Sequence, residues 1–172
     1  MSPAEYPDWL AETPIHHVPR AGGKLGEVRI QDGHVFVCEG CCCGNTDRGF
    51  APIPLAEFKR QWKERHIRRR LHLTISGCLG PCVMANVVLL TFGGRSTWLH
   101  SIDSATGVTQ IYDYAEAMLR AGCWLPPPAE LRDRHFQRYL VDSIGQEHCA
   151  VAPAQPDTPS RTAAGLGVEP GP

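Results

Sequence analysis

The sequence lacks a long apolar run and lacks an excess of either charge. None of its apolar stretches approaches the roughly 20 residues that a membrane-spanning helix needs, and its start lacks the basic-then-apolar order of a signal peptide. Its 17 Lys and Arg residues nearly balance 18 Asp and Glu residues, for a formal net charge of -1. General nucleic-acid binding needs a marked cationic excess. We therefore expect a cytoplasmic protein that binds neither membrane nor nucleic acid.

Recognisable catalytic groups are also missing. The sequence shows no set of acid, base and nucleophile. The histidines at positions 16, 17, 66, 72 and 100 do not have the spacing of a metal site. We therefore expect a protein that is not an enzyme in its own right.

Cysteine, in contrast, is abundant: the chain has eight, and six of them lie between positions 38 and 82. Reducing compartments rarely keep structural disulfides, so clustered cysteines there more often bind metal or carry out redox chemistry. The cluster contains two spaced pairs, Cys38-x4-Cys43 and Cys78-x3-Cys82. We interpret the two remaining cysteines, at positions 123 and 149, as ordinary thiols.

The hydrophobic pattern predicts strands and helices in alternation, with a strand before each cysteine pair. The predicted elements are a strand at residues 28–38, an amphipathic helix after Pro54, a strand at 71–76, a hairpin at 87–102 around Gly93-Gly94, and a helix at 106–121 that ends at Gly122. This order predicts an α/β domain with a mixed central sheet flanked by helices.

The composition divides the chain into four segments. Prolines and glycines interrupt the first segment, and the last has five prolines and no aromatic residue, so little apolar burial offsets the entropy of ordering it. The predicted segments are an irregular N-terminal leader (1–26), the α/β domain (27–125), a Pro-rich linker with a short charged helix over 129–140 (126–149), and a disordered C-terminal tail (150–172).

The two cysteine pairs suit a [2Fe-2S] cluster. Two iron ions bridged by two sulfides need four thiolates, presented in pairs from two chain segments, and adjacent strand ends can place such loops side by side. The candidate ligands, as cofactor-binding and metal-binding residues alike, are Cys38, Cys43, Cys78 and Cys82. The spacing favours Cys43 as the second ligand, although Cys41 or Cys42 could replace it.

Several motifs follow one another between Gly33 and Gly122. They are the strand HVFVC, the loop GCLGPC, the apolar strand after it, Trp98 in the next strand, and the closing helix. This order resembles the thioredoxin-like [2Fe-2S] ferredoxins, which include the cluster-bearing small subunit of bacterial NADH:quinone oxidoreductase. The resemblance implies a thioredoxin-like fold, ligation by the four candidate cysteines, and one-electron transfer to a redox partner protein.

The chain departs from that family at two places. It has Ala85-Asn86 where many members have Ala-Pro, and three consecutive cysteines, at positions 41–43, where members have one. The stretch GCLGPCVMANVVLL, followed by GGRSTW, looks most like ferredoxin-like proteins associated with cobalamin biosynthesis and its cobalt-chelation step. That likeness implies a cobalt-chelatase or another cobalamin-pathway component as the partner, and it is compatible with a homodimer.

Three other interpretations of the cysteines stay open. Cys38-x2-Cys41 with Cys78-x3-Cys82 approximates the four-cysteine set of a structural zinc site, which would make the chain a zinc- or cluster-stabilised binding module of a metal-chelatase assembly. Cys38-x2-Cys41 is also a thiol-disulfide redox motif, although no helix is predicted to begin beside it and activate the thiolate. Buried free thiols are the third interpretation.

Two sets of basic residues are further candidates. The run between Lys59 and Arg70 is either a solvated helix face or an electrostatic dock for an acidic partner. Arg48 lies in the predicted first cysteine loop, where its charge would raise the reduction potential of a cluster.

Overall fold

The computed structural model describes residues 6–139. The predicted tail, the end of the linker segment and Cys149 lie outside the described residues. The described elements are β1 (Ile15–Pro19), β2 (Leu25–Arg29), β3 (Gly33–Cys38), α1 (Leu55–Glu64), β4 (Leu71–Ser76), β5 (Val88–Phe92), β6 (Arg95–Leu99), α2 (Ala105–Ala121), α3 (Ala129–Arg132) and β7 (His135–Phe136). Between positions 6 and 139 no helix is long and apolar enough to cross a membrane.

Five of the strands form one mixed sheet in the order β4-β3-β5-β6-β7. β3 and β4 are parallel, with α1 as their crossover, and the remaining neighbours are antiparallel. A βαβ unit followed by an antiparallel hairpin and a helix, with the second strand at one edge, is the thioredoxin-like arrangement. The predicted α/β fold with a mixed central sheet is therefore confirmed.

The main core lies between this sheet and the two long helices, which pack on the same face of it. Val35 of β3 and Leu90 of β5 are register partners and fully buried. Phe58 of α1 and Tyr112 of α2 meet them in the same apolar cluster. Each such burial contributes about 1.5–3 kcal/mol to folding. The hydroxyl of Tyr112 also donates to the carbonyl oxygen of Phe58 at 2.9 Å, so it joins the two helices.

The ends of α2 follow from local chemistry. The hydroxyl of Ser104 accepts a hydrogen bond from the backbone N–H of Gly107 at 3.2 Å and caps the first turn. Gly122 adopts a left-handed conformation with φ of 67°, which ends the helix. The predicted stop at Gly122 is confirmed.

The leader predicted to be irregular contains a strand. β1 pairs with β2 in a separate two-stranded antiparallel sheet, and Gly22 and Gly23, with φ of 88° and 77°, form the turn between them. The sequence signal misses this hairpin because the side chains of β1 are all exposed, so no core contact imposes an apolar pattern.

The segment after the proline run also differs from its prediction. The helix expected over 129–140 is the single turn α3, which ends at Arg132, and His135 and Phe136 then pair with β6 as the short strand β7. A two-residue strand is formed by pairing with its neighbour, not by propensity, so the periodicity of the segment alone could not show it.

Replacing Tyr112 with Phe should lower the free energy of unfolding by about 1 kcal/mol, because the hydrogen bond between α2 and α1 is lost while the ring stays packed. Urea denaturation followed by circular dichroism would measure the change. Tyr139→Phe is the matched control, since its side chain is 59% exposed. Equal stability of the Tyr112 variant and the parent chain would contradict this account of the core.

Candidate metal centre

The parallel pairing of β3 and β4 brings the two cysteine loops together. Cys38, the last residue of β3, is the register partner of Ser76, the last residue of β4. We call residues 39–54 the first loop and residues 77–87 the second loop. The backbone N–H of Glu39 donates to the carbonyl oxygen of Ser76 at 2.8 Å, so the loops leave the same edge of the sheet side by side.

Close packing of the loops depends on a glycine in the first one. A Cβ atom at Gly40 would lie 3.1 Å from Cα of Cys78 and 3.2 Å from its Cβ atom. Such distances are shorter than ordinary van der Waals contact, so any side chain at position 40 would push the loops apart. Gly40 therefore allows the backbone of the first loop to lie directly against a candidate ligand of the second.

Three sulfur atoms gather on the outside of the site, and we call them the outer thiols. The Sγ atoms of Cys41, Cys78 and Cys82 all lie within 4.8 Å of one another. Cys82 Sγ is 3.3 Å from that of Cys78 and 3.5 Å from that of Cys41. Hydrogen bonds with Cys78 and Cys41 raise the pKa of the Cys82 thiol to about 12.

Two further thiols, which we call the inner thiols, are buried from solvent. Cys38 and Cys43 are 3% and 4% exposed and share an apolar cluster with Val87 and Trp98. Burial raises the pKa of Cys38 to about 12, and its hydrogen bond with Cys43 acts in the same direction. The backbone N–H of Leu79 donates to the Cys38 sulfur and acts in the opposite direction.

The four predicted ligands therefore form a connected series of thiols. Cys43 is hydrogen-bonded to Cys38, Cys38 lies within electrostatic range of Cys78, and Cys78 contacts Cys82. The alternative ligand Cys41 lies among the outer thiols, beside Cys82. The assignment of Cys43 as the second ligand stays a prediction, since Cys43 lies beside Cys38 while the alternative ligand Cys41 lies beside Cys82.

Arg48 makes the approach to the first loop that the sequence suggested. Its guanidinium donates to the carbonyl oxygen of Cys41 at 3.0 Å and to the sulfur of Cys42 at 3.3 Å. Hydrogen bonds with Cys82 and Cys42 hold the pKa of Cys41 below its ordinary value, and the charge of Arg48 adds to this. A cation thus lies next to thiols that carry negative charge when they bind metal.

Asn86 joins the two loops, a role that the sequence alone did not reveal. Its side chain is buried, accepts from the backbone N–H of Gly44 at 2.8 Å, and donates to the carbonyl oxygens of Ala51 and Pro52 at 3.0 and 3.3 Å. Asn86 has a left-handed φ of 52°, which Asn tolerates better than most residues. The sequence shows that Asn86 stands where many of the ferredoxins it resembles have proline, but only the fold shows the three hydrogen-bond partners of Asn86.

Arg138 is a second residue that the sequence did not single out. Its guanidinium donates to the carbonyl oxygen of Leu79, in the second loop, and lies 4.4 Å from the centre of the Trp98 ring. It passes close over Gly80, where a Cβ atom would overlap a guanidinium nitrogen. Arg138 therefore covers the second loop with a positive charge.

Three arginines of the basic run between residues 59 and 70 form ion pairs with carboxylates of the domain. Arg60 pairs with two glutamates of α1, Arg65 binds Asp113 at 2.6 Å, and Arg70 binds Asp32 at 2.6 Å. Residues 65–70 precede β4, whereas Cys78 follows it, and six strand residues span about 17 Å. Arg65 and Arg70 therefore make their ion pairs towards the end of β4 that lies away from the thiols.

The interpretation of Cys123 as an ordinary thiol is wrong, because Cys123 is disulfide-bonded in the structure. It lies just after the end of α2, where its backbone N–H donates to Met118. The spacing of a lone cysteine carries no signal about such a bond, since only the fold sets the distance between two sulfurs.

Comparisons with known proteins add little at this point. No protein-family profile and no curated protein matches the chain. Among solved structures, it is similar to the thioredoxin-like [2Fe-2S] ferredoxin from Aquifex aeolicus, with 18% identity over 63% of this chain and 100% of that one and a TM-score of 0.39. It is the order of the strands, β4-β3-β5-β6-β7, that defines the fold of this chain.

Replacing Asn86 with Ala should lower the free energy of unfolding by about 3 kcal/mol, because a buried residue loses three hydrogen bonds worth about 1 kcal/mol each. Urea denaturation of the metal-free chain would measure it. Asn45→Ala is the control, since Asn45 also bonds within the first loop but at the exposed surface, and its loss should cost less than about 1 kcal/mol. Equal losses in the two variants would remove the assigned role of Asn86.

The opposite pKa shifts of Cys41 and Cys82 predict the order in which these two thiols react in the metal-free chain. Since the pKa of Cys41 is lowered and that of Cys82 is raised to about 12, Cys41 becomes a thiolate at lower pH. Iodoacetamide at low extents of modification should therefore label Cys41 before Cys82 as the pH rises, which peptide mass spectrometry would show. Labelling of Cys82 at the same or lower pH would contradict the hydrogen-bond arrangement of the outer thiols.

Proposed function

We propose that this protein is a one-electron carrier that holds a single [2Fe-2S] cluster on Cys38, Cys43, Cys78 and Cys82. The observation that carries the proposal is the convergence of two cysteine loops at the end of two adjacent parallel strands. Among the described residues, the group of side chains placed to hold a metal ion consists of thiols, which favours iron-sulfur clusters, zinc or copper(I) over harder cations.

The four candidate ligands occur in two pairs, and this arrangement fits a [2Fe-2S] cluster. Cys38 and Cys43 come from the first strand and loop and contact each other, and Cys78 and Cys82 come from the second loop with sulfurs 3.3 Å apart. Each pair would hold one iron, as such clusters require. When bound, the group supplies an iron pair that cycles between the diferric and the mixed-valence state.

The chain contributes ligation, shielding and charge. The inner thiols, with Val87 and Trp98, would keep water from one side of the group, while the exposed Cys78 leaves the other side open to a partner. Arg48 and Arg138 place two cations over the loops, and positive charge favours the more negative reduced state. No acid, base or nucleophile is needed, so we propose a carrier and not an enzyme.

The partner would dock at the outer thiols. Val83, next to Cys82, is 89% exposed, which makes it the most exposed large apolar side chain among those described. We propose that a redox partner covers this rim. The stretch GCLGPCVMANVVLL supports a partner from cobalamin biosynthesis or cobalt chelation, and this part of the proposal rests on the resemblance of the sequence.

A structural zinc site is the second candidate. Tetrahedral zinc with Zn–S bonds of about 2.3 Å holds its thiolates about 3.8 Å apart. The outer thiols, within 4.8 Å of one another, approach that spacing and need one more ligand, which Cys38 would supply. The chain would then be a metal-stabilised binding module of a larger assembly.

Metal and sulfide analysis separates the two candidates. Protein purified without oxygen should be red-brown, contain two irons and two acid-labile sulfides per chain, and bleach reversibly with dithionite to a form with an electron paramagnetic resonance signal. Stoichiometric zinc in a colourless protein would defeat the electron-carrier proposal and favour the binding module.

Ligand variants refine the same test. Cys78→Ser should abolish or distort the visible spectrum, because Cys78 links the inner and outer thiols. Cys123→Ser should leave the spectrum unchanged, since Cys123 belongs to neither the inner nor the outer thiols. An unaltered spectrum in Cys78→Ser would show that the ligand assignment is wrong.

A further inference from the structure

One buried donor beside the inner thiols has no acceptor among residues 6–139. The indole Nε1 of Trp98, a residue that is 5% exposed, is fully buried and makes no hydrogen bond within this described part of the chain. Two other tryptophans satisfy theirs: Trp62 donates to the carbonyl oxygen of Leu71 at 2.9 Å, and Trp124 donates to the hydroxyl of Thr97 at 3.2 Å. Buried polar groups are almost always bonded, so an orphaned N–H needs an explanation.

The surroundings of Trp98 restrict what the missing acceptor can be. It packs in the apolar cluster of the inner thiols, Cys38 and Cys43, with Val87 and half-buried side chains such as Leu79 and Met84. The side-chain acceptor atoms in this cluster are all sulfurs. A neutral thiol or thioether accepts weakly, whereas a thiolate bound to metal keeps negative charge and accepts strongly.

The ring itself is held in place. The guanidinium of Arg138 lies 4.4 Å from its centre, and Phe136 and Tyr139 pack at 6.0 and 5.9 Å between ring centres. On the strand, Trp98 is the register partner of Leu89 and Phe136. The indole therefore has little freedom to turn its N–H towards another acceptor.

We propose that Trp98 donates its indole N–H to the sulfur of Cys43 when that sulfur is a metal-bound thiolate. Cys38 already accepts from the backbone N–H of Leu79 and shares a hydrogen bond with Cys43, whereas Cys43 has no other described partner. The inference deepens the proposed function, and it makes Trp98 a positioning residue that tunes the cluster through one of its ligands.

The expected consequence is a change in reduction potential. A hydrogen bond to a ligand sulfur stabilises the more negative reduced state and so raises the potential. Trp98→Phe keeps the apolar bulk but removes the donor. Its potential, measured by dithionite titration with redox dyes, should be more negative than that of the parent chain.

Trp62→Phe is the matched control, because it removes an indole donor whose acceptor is a neutral backbone carbonyl. Its potential should equal that of the parent chain. Equal potentials in the Trp98 variant and the parent, or equal shifts in both variants, would overturn the proposed bond. Iron and sulfide content of the parent chain is measured first, so that absence of a cluster counts against the proposed function alone.

A second measurement tests the bond without relying on a variant of Trp98 that folds. The Cys41→Ser chain keeps Cys38, Cys43, Cys78 and Cys82 as four ligands for one ion; it is loaded with zinc, which is diamagnetic, and its indole ¹H–¹⁵N signals are recorded before and after loading. The Trp98 signal should move downfield on stoichiometric loading, whereas in Cys43→Ser, where Cys41 takes the fourth position, it should keep its metal-free position. A signal that does not move in stoichiometrically loaded Cys41→Ser, or that moves equally in Cys43→Ser, would refute the proposal.

Discussion

The parallel pairing of β3 with β4 is the constraint on which the site depends. It is secured at the end of the sheet away from the thiols, where Arg70 binds both carboxylate oxygens of Asp32 at 2.6 and 2.9 Å and the backbone N–H of Asp32 donates to Arg70. Because register is conserved along a ladder, these contacts determine how the loops meet at the far end.

The two cysteine loops then divide the thiols by their exposure. Cys38 ends a strand that is buried in the core, so its sulfur stays among apolar side chains, whereas Cys41 and Cys78 lie on loop segments at the surface. A group held between them would face protein on one side and solvent on the other. That asymmetry suits a carrier, which must keep water from its redox centre and still let a partner approach.

Much of the fold was predictable because it follows from local pattern. The apolar run before Cys38, the alternation over β4 and the stop at Gly122 are each signals within a few residues, and each corresponds to an observed element. The hairpin of β1 and β2 and the short β7 were missed because neither has an apolar periodicity of its own. They exist through backbone pairing with a neighbouring strand.

The amino-acid sequence by itself determined the kind of chemistry: a donor set of thiols, in two spaced groups, each after a strand. Only the tertiary structure decided which thiols are dry and which residues surround them. Asn86 reaches the first loop across 42 positions, and Arg138 reaches the second across 59. Contacts at such separations depend on strand order and loop packing, and no spacing rule along the chain encodes them.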